Sequence, residues 1–154
     1  MKLYVLRHGK AGAGLPWPED YHRPLTEEGR AEMRRIAKRL RALDIAPQAI
    51  ITSPLVRAKE TAEIVAQELG LGKVLRVDDR LACGARPGDF QSAVAGLNSA
   101  MVVGHEPDLS ALVAWLSGAT AEMKKGGLAA VECTAVEPNN GTLLWLAPPK
   151  LLTG

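Results

Sequence analysis

A short apolar run near the start of the chain, residues 3–6, ends in the triplet Arg7-His8-Gly9. A run of this length, partly β-branched or aromatic and closed by a glycine, predicts a buried strand. A second short apolar run, residues 101–103, ends in the same way in Gly104-His105. Because ligands bind at the carboxyl edge of open α/β sheets, we expect both histidines at a ligand-binding edge.

Strands and helices alternate along the chain. Strands are predicted at residues 2–7, 49–52, 74–77, 100–103, 129–136 and 142–146, and helices at residues 27–43, 54–69, 89–96 and 107–118. The last two strands are joined by a turn that contains Asn140-Gly141, which is a strong hairpin signal. This order predicts an α/β fold, a three-layer α/β/α sandwich whose central sheet is mostly parallel, with an antiparallel strand supplied by the hairpin.

The composition argues against several classes of function. A chain of 154 residues with 47% hydrophobic residues is expected to form one domain over residues 1–154 and to bury a sizeable core. A net charge of +2 and only 4% aromatic residues give no support for binding to nucleic acid or to a membrane. Cys83 and Cys133 have neither a metal-binding spacing nor a disulfide framework, and we expect Cys83 to be buried and inert. Without a signal peptide or a transmembrane run, a cytoplasmic location is expected.

The first two helices have recognisable start signals. Thr26 is the predicted N-cap of the first helix, and Ser53-Pro54 predicts a capping serine followed by proline at the first helical position. The first helix carries an apolar stripe, made of Met33, Ile36, Ala37, Leu40 and Leu43. Its basic residues alternate with this stripe, which favours a solvent-exposed face over a nucleic-acid-binding helix. Salt-dependent binding to DNA or RNA would support the nucleic-acid-binding alternative.

Four chemically active side chains lie at predicted strand-to-helix junctions: Arg7, His8, Arg57 and His105. Right-handed crossovers place such junctions on one edge of a sheet. Arginine forks and helix N-termini bind phosphate oxygens, and a neutral imidazole attacks phosphorus without prior deprotonation. The sequence therefore predicts a pocket for a dianion, occupied by phosphate or sulfate when either is present, in which one histidine is the nucleophile.

Three sequence blocks in this order resemble the histidine phosphatase superfamily, which is also known as the phosphoglycerate mutase-like group. The blocks are Leu6-Arg7-His8-Gly9, Ser53-Pro54-Leu55-Val56-Arg57-Ala58 with Thr61-Ala62, and Gly104-His105. The segment Arg23-Pro24-Leu25-Thr26 with Gly29, together with the small size of the chain, is similar to the SixA-type phosphohistidine phosphatase branch.

This resemblance implies a role for each matching residue. His8 would be the nucleophile that becomes phosphorylated, and Arg7, Arg57 and His105 would bind the phosphoryl group and stabilise its charge. It implies a mechanism that needs no metal and no other cofactor. We count Ser53, in the second block, as a further candidate for substrate binding.

The chain departs from larger members of this superfamily at two places. The mutases carry an asparagine shortly after Arg-His-Gly, whereas residues 10–14 here contain none, so Arg23 either takes over that phosphate contact or forms a loop salt bridge. The segment 76–100 is also too short for the helical insertion that roofs the site in the mutases. The expected open site, without a lid insertion, suits a phosphoryl group carried on a histidine phosphotransfer or phosphocarrier protein.

The sequence leaves alternatives open for the general acid and for the substrate class. Glu106 directly follows the second histidine and is favoured as the acid, while Asp79 is the competing carboxylate. Trp17 and Tyr21 lie in the loop that ends at Arg23, and they either form a substrate rim or pack within the loop. Two further functions compete with a protein phosphohistidine phosphatase: a small-molecule phosphomonoesterase on the same scaffold, and a catalytically silent phosphoprotein-binding module.

Overall fold

A six-stranded sheet forms the centre of the protein in a computed structural model that describes residues 1–154. Its strands are β1 (Lys2–Arg7), β2 (Ile50–Thr52), β3 (Leu75–Val77), β4 (Ser99–Gly104), β5 (Leu128–Cys133) and β6 (Gly141–Ala147). They lie in the order β3-β2-β4-β1-β5-β6. The first four strands run parallel to one another, and β5 is antiparallel to both β1 and β6. The predicted mostly parallel sheet with an antiparallel strand is confirmed.

Helices cover both faces of this sheet. They are α1 (Glu27–Ala42), α2 (Val56–Leu69), α3 (Pro87–Ala93), α4 (Asp108–Ser117) and α5 (Pro149–Thr153). Side chains alternate along β1, as the pleat requires. Leu3 and Val5 pack in a core with α3 and α4, whereas Tyr4 and Leu6 pack in a second core with α1, α2 and α5. The two cores confirm the three-layer sandwich.

The first helix follows its sequence signals closely. The Thr26 hydroxyl accepts the Gly29 N–H at 2.9 Å, so Thr26 is the N-cap. Met33 and the next three positions of the stripe are fully buried, but Leu43 is 52% exposed because the helix ends at Ala42. Apart from the half-buried Arg30, the basic side chains are exposed, which confirms a solvated face.

Other predicted boundaries move by a few residues. Helix α2 begins at Val56, not at Pro54, and its N-cap is Leu55. The Ser53 N–H still donates to the Val103 carbonyl at 3.0 Å, so the ladder of hydrogen bonds to β4 continues one residue past β2. The helix therefore starts later in the chain than predicted. Strand β5 ends at Cys133, three residues early, and the five-residue α5 has no counterpart among the predicted helices. No helix in the structure combines the length and the apolarity that crossing a membrane requires.

Candidate active site

Four side chains expected at the carboxyl edge of the sheet line one cavity of about 420 Å³. Arg7 ends β1, His8 follows it, Arg57 lies in the first turn of α2, and His105 directly follows β4. Strands β1 and β4 are neighbours with Arg7 in register with Gly104, so the residues that follow them meet. The ring centroids of His8 and His105 are 5.3 Å apart.

His8 is buried, and one of its ring nitrogens is fixed by the backbone. Nδ1 lies 2.7 Å from the Gly9 carbonyl oxygen. Burial is the main cause that lowers the pKa of His8 to about 3; the nearby His105, Arg57 and Arg7 act in the same direction, and the Gly9 hydrogen bond opposes them. The ring is therefore neutral near pH 7. Because Nδ1–H donates to the carbonyl, Nε2 keeps a free lone pair.

Gly9, two residues after the end of β1, lies close to both α1 and α2. Its N–H donates to the Thr61 hydroxyl at 3.0 Å, and that hydroxyl donates to the Arg57 carbonyl at 2.8 Å. A Cβ at position 9 would lie 2.7 Å from the Cγ of the fully buried Met33. The glycine therefore permits a close approach between α1 and the residue that follows His8.

The His105 ring forms a hydrogen bond with a buried serine. The Ser53 hydroxyl lies 2.7 Å from Nε2 of the ring and accepts the Leu55 N–H at 3.2 Å. Burial, followed by the charges of Arg57 and Arg7, lowers the pKa of His105 to about 4. Ser53 is fully buried and does not line the cavity. The expectation that Ser53 contacts substrate is therefore corrected: its hydroxyl is engaged by His105.

Both arginines keep one buried donor without a partner. Arg7 Nη1 donates to the Met123 carbonyl at 2.9 Å, and Arg57 Nη1 donates to the Asp20 carbonyl at 3.0 Å. Nε of Arg7, Nε of Arg57 and Nδ1 of His105 are buried with no hydrogen-bond partner, and all three residues line the cavity. Buried polar groups in proteins are almost always paired, so three unpaired groups at one cavity indicate a site for an acceptor ligand.

Arg23 also lines the cavity, and it forms the loop salt bridge that was one of its two predicted roles. Its Nε lies 2.9 Å from an Asp20 carboxylate oxygen, and its Nη1 donates to the Gly12 carbonyl at 2.6 Å. The same Asp20 carboxylate lies 3.2 Å from Arg57 Nη2. Asp20 was not among the predicted site residues, although an acidic residue three positions before Arg23 in the same loop was a usable signal.

The two candidate acids lie in different surroundings. Glu106 lines the cavity, where its carboxylate accepts the Ser110 N–H at 2.8 Å, the Ser110 hydroxyl, and the Met123 N–H at 3.3 Å. Asp79 is exposed on a short 3-10 turn and does not line the cavity. Only Glu106 is therefore close to the other candidate residues.

Cys83 and Lys125 line the cavity although neither was predicted to do so. Cys83 is exposed, and its Sγ lies 3.7 Å from Arg57 Nη2, so the prediction of a buried cysteine is wrong. Leu81, two residues earlier, takes the place in the core. Lys125 is exposed and has no carboxylate within ion-pair distance. Trp17 contacts Tyr21 edge to face and neither lines the cavity, which favours loop packing over a substrate rim.

Known proteins resemble this chain over its whole length. The family model of the histidine phosphatase superfamily, branch 1, matches residues 3–82. The phosphohistidine phosphatase SixA of Escherichia coli strain K12 is 30% identical over 154 residues, which cover 97% of this chain and 94% of the relative. An uncharacterized protein of Picosynechococcus is 34% identical over 164 residues, covering 99% of both chains. Among solved structures, the protein histidine phosphatase SixA complexed with tungstate superposes with a TM-score of 0.87 at 28% identity, covering 99% of both chains.

The fold, the sequence blocks and these likenesses define one class of protein. The chain belongs to the histidine phosphatase superfamily, branch 1. Its general class of activity is that of a phosphatase of this superfamily. The three-layer architecture agrees with that of its structural relatives, including a putative SixA of Agrobacterium tumefaciens, which superposes with a TM-score of 0.81 at 25% identity over 96% of this chain and 97% of that one.

Proposed function

We propose that the protein is a metal-independent phosphatase that works through a phosphohistidine intermediate on His8. The observation that carries this proposal is a group of three buried nitrogen atoms without a hydrogen-bond partner beside His8: Nε of Arg7, Nε of Arg57 and Nδ1 of His105. A phosphoryl group in transfer spreads its charge over three equatorial oxygens. With the His105 ring proton on Nδ1, each of these three nitrogens can donate to one of the oxygens, and the two arginines supply positive charge without a metal ion.

The environment of His8 suits a nucleophile. At neutral pH the ring is uncharged, and Nδ1–H donates to the Gly9 carbonyl, so the Nε2 lone pair is available to attack phosphorus. The new N–P bond forms as the bond to the leaving group breaks, and the ring gains a positive charge that the Gly9 carbonyl stabilises. Water then attacks phosphorus, the N–P electron pair returns to Nε2, and inorganic phosphate leaves.

The hydrogen bonds around His105 support its role as a donor. Because the Ser53 oxygen already accepts the Leu55 N–H, its own proton is free to be donated to His105 Nε2. With Nε2 accepting from Ser53, we assign the ring proton of the neutral His105 to Nδ1, the nitrogen that has no protein partner. His105 would then donate a hydrogen bond to a phosphoryl oxygen and would not act as a second nucleophile.

The substrate we propose is phosphohistidine on a signalling or phosphocarrier protein. The SixA relative is named a phosphohistidine phosphatase, and the structural relative is a protein histidine phosphatase that binds tungstate, an oxyanion of phosphate-like shape. One wall of the cavity is the segment 11–14, in which no side chain is larger than a methyl group. This wall leaves room for a large substrate to approach. Imidazole is also a better leaving group than an alkoxide, so such a substrate makes a smaller demand on an acid.

The experiment combines turnover with trapping of the intermediate. Wild-type protein is assayed in the presence of chelator on a phosphohistidine protein and on simple phosphate esters. The reaction is then quenched during turnover under acid-free conditions, because acid hydrolyses phosphohistidine. We expect turnover with chelator present, one phosphoryl group on His8, and none on the His8→Ala variant. The matched control is His22→Ala, which removes an exposed histidine and should keep full activity. A label on His22 or on a serine contradicts the mechanism, and binding without turnover indicates a silent phosphoprotein-binding module.

A further inference from the structure

Asp20 places one carboxylate between two arginines of the cavity. Oδ2 lies 3.2 Å from Arg57 Nη2, and Oδ1 lies 2.9 Å from Arg23 Nε. Oδ1 also accepts the Leu15 N–H at 3.1 Å. The side chain of Asp20 is 19% exposed and that of Arg57 only 5%. This carboxylate, on the 3-10 turn Glu19–His22, therefore lies at the centre of a largely buried hydrogen-bonded cluster.

The contacts on Arg57 divide its guanidinium into two parts. Asp20 occupies the end formed by the two Nη atoms, because its backbone carbonyl accepts from Nη1 at 3.0 Å and its carboxylate pairs with Nη2. Nε remains buried and unpaired. A carboxylate that occupied the place of phosphate would satisfy the donor that faces the ligand. Here the protein anion binds the opposite end and leaves Nε without a protein partner.

We infer that Asp20 is a positioning residue, which orients Arg57 so that its Nε–H is directed at the phosphoryl group. This inference rests on the proposed function, because it assigns Nε to a phosphoryl oxygen. A guanidinium held at its Nη end loses little conformational freedom when the substrate binds. Without the carboxylate, Arg57 keeps no charged partner, and Arg23 is left with only its bond to the Gly12 carbonyl.

The first test compares Asp20→Ala with Asp20→Asn. The asparagine keeps one acceptor oxygen but can no longer bond both arginines as an anion. We expect kcat/KM to fall about 10- to 100-fold for alanine, since small misplacements of a catalytic group cost up to about 100-fold, and to fall less for asparagine. Glu19→Ala is the matched control, because Glu19 is an exposed neighbour on the same turn with no ion pair. An unchanged kcat/KM in Asp20→Ala overturns the inference.

A second comparison separates positioning from general support of the fold. Asp20→Ala is combined with Arg57→Ala and, in parallel, with Arg7→Ala. Positioning through Arg57 requires that the loss caused by Asp20→Ala disappear in the Arg57→Ala background and persist in the Arg7→Ala background. A purely structural role gives the same loss in both backgrounds, and that result overturns the inference.

Binding of inorganic phosphate, measured by calorimetry, tests the inference even if no substrate is turned over. The proposed function fails when the wild-type protein is inactive on every substrate, whereas the positioning role is judged by phosphate affinity alone. We expect Asp20→Ala to weaken phosphate binding in the wild-type background and to leave it unchanged in the Arg57→Ala background. Tighter binding by Asp20→Ala means that Asp20 competes with phosphate, and unchanged binding means that it does not orient Arg57. Each of these two results overturns the inference.

Discussion

The Ser53 hydroxyl lies 2.7 Å from Nε2 of His105, on the side of the ring opposite to the unpaired Nδ1. We expect Ser53→Ala to leave Nε2 buried and unsatisfied, which lowers the free energy of unfolding by about 1–3 kcal/mol. It also removes the bond that fixes the ring, so kcat should fall by about tenfold or more. Steady-state kinetics and denaturant unfolding measure the two effects.

Ser117→Ala is the matched control for this prediction. Ser117 lies at the far end of α4, and its hydroxyl donates to the Val113 carbonyl at 2.8 Å. Its removal is expected to cost stability without a change in kcat. If Ser53→Ala keeps full kcat while losing stability, the serine supports the fold and has no part in orienting His105.

The pH dependence of stability follows from the two buried histidines. The pKa is about 3 for His8 and about 4 for His105 in the folded protein, against 6.5 in the unfolded chain. Between these values the unfolded chain binds protons that the folded protein does not, so stability is full above about pH 6.5 and falls as the pH falls. The expected slope is about 1.4 kcal/mol per pH unit for each histidine. Urea unfolding between pH 7 and pH 5 measures it.

Replacing the histidines provides the control for this pH effect. His8→Asn or His105→Asn should each reduce the slope by about half, because one titrating group is removed. A stability that is constant between pH 7 and pH 5 in the wild-type protein contradicts the assignment of two neutral, buried imidazoles.

Gly9 is predicted to tolerate no side chain. An alanine methyl would lie 2.7 Å from Met33 Cγ, so the buried Met33 side chain, α1 or the end of β1 has to move. We expect Gly9→Ala to lower the free energy of unfolding by about 1–3 kcal/mol, as for other overpacked sites, and to reduce kcat because His8 is the preceding residue. Gly72→Ala is the matched control, since a Cβ there meets nothing within 4 Å and Gly72 does not line the cavity. Equal behaviour of the two variants in unfolding and in kinetics contradicts the close-approach argument.

Arg57→Lys tests the planar donor of the proposed phosphoryl site. Lysine keeps the charge but cannot hold Asp20 at one end while donating from Nε at the other. We expect kcat/KM to fall on the order of 100-fold or more, as when one transition-state donor is removed. Arg34→Lys, on the exposed face of α1, should be neutral. A loss below about threefold for Arg57→Lys indicates that a point charge is sufficient.

The positions of His8 and His105 could be predicted because two neighbouring parallel strands end at the same edge. The register of Arg7 with Gly104 then leaves little freedom for the residues that follow. Arg57 was predictable for a related reason, because it lies in the first turn of the helix after β2. Such positions depend on strand ends and helix starts, which apolar periodicity reveals.

Asp20 and Lys125 could not be predicted in this way. Their loops carry no apolar period, and Asp20 reaches Arg57 across 37 positions of sequence. The Ser53-Pro54 pair shows a second reason. The pair matches a helix-start signal, but the Ser53 hydroxyl can also make a tertiary contact, which the sequence does not reveal. In the folded chain the contact with His105 is made and the helix begins at Val56.

The last prediction concerns the leaving group and the acid. Glu106 lines the cavity, whereas Asp79 does not. An imidazole leaves without full proton transfer, but an alkoxide does not. We therefore expect Glu106→Gln to lower turnover of a phosphohistidine protein modestly and that of an alkyl phosphate by a larger factor, within the range of about 10²–10⁴ for general acid catalysis. Parallel assays of both substrates measure this contrast, and Asp79→Asn should show the weaker one.

Ser110→Ala separates acid catalysis from the shape of the loop. The Ser110 hydroxyl donates to the Glu106 carboxylate, and its removal leaves that carboxylate in place with the N–H bonds from Ser110 and Met123. This variant should therefore keep the ratio of the two activities, while Glu106→Gln changes it. Equal losses on both substrates for Glu106→Gln mean that the residue binds phosphate or shapes the cavity, because a missing proton affects only the poor leaving group. A selective loss in Asp79→Asn transfers the role of acid to that exposed carboxylate and requires the 3-10 turn that carries it to move towards the substrate.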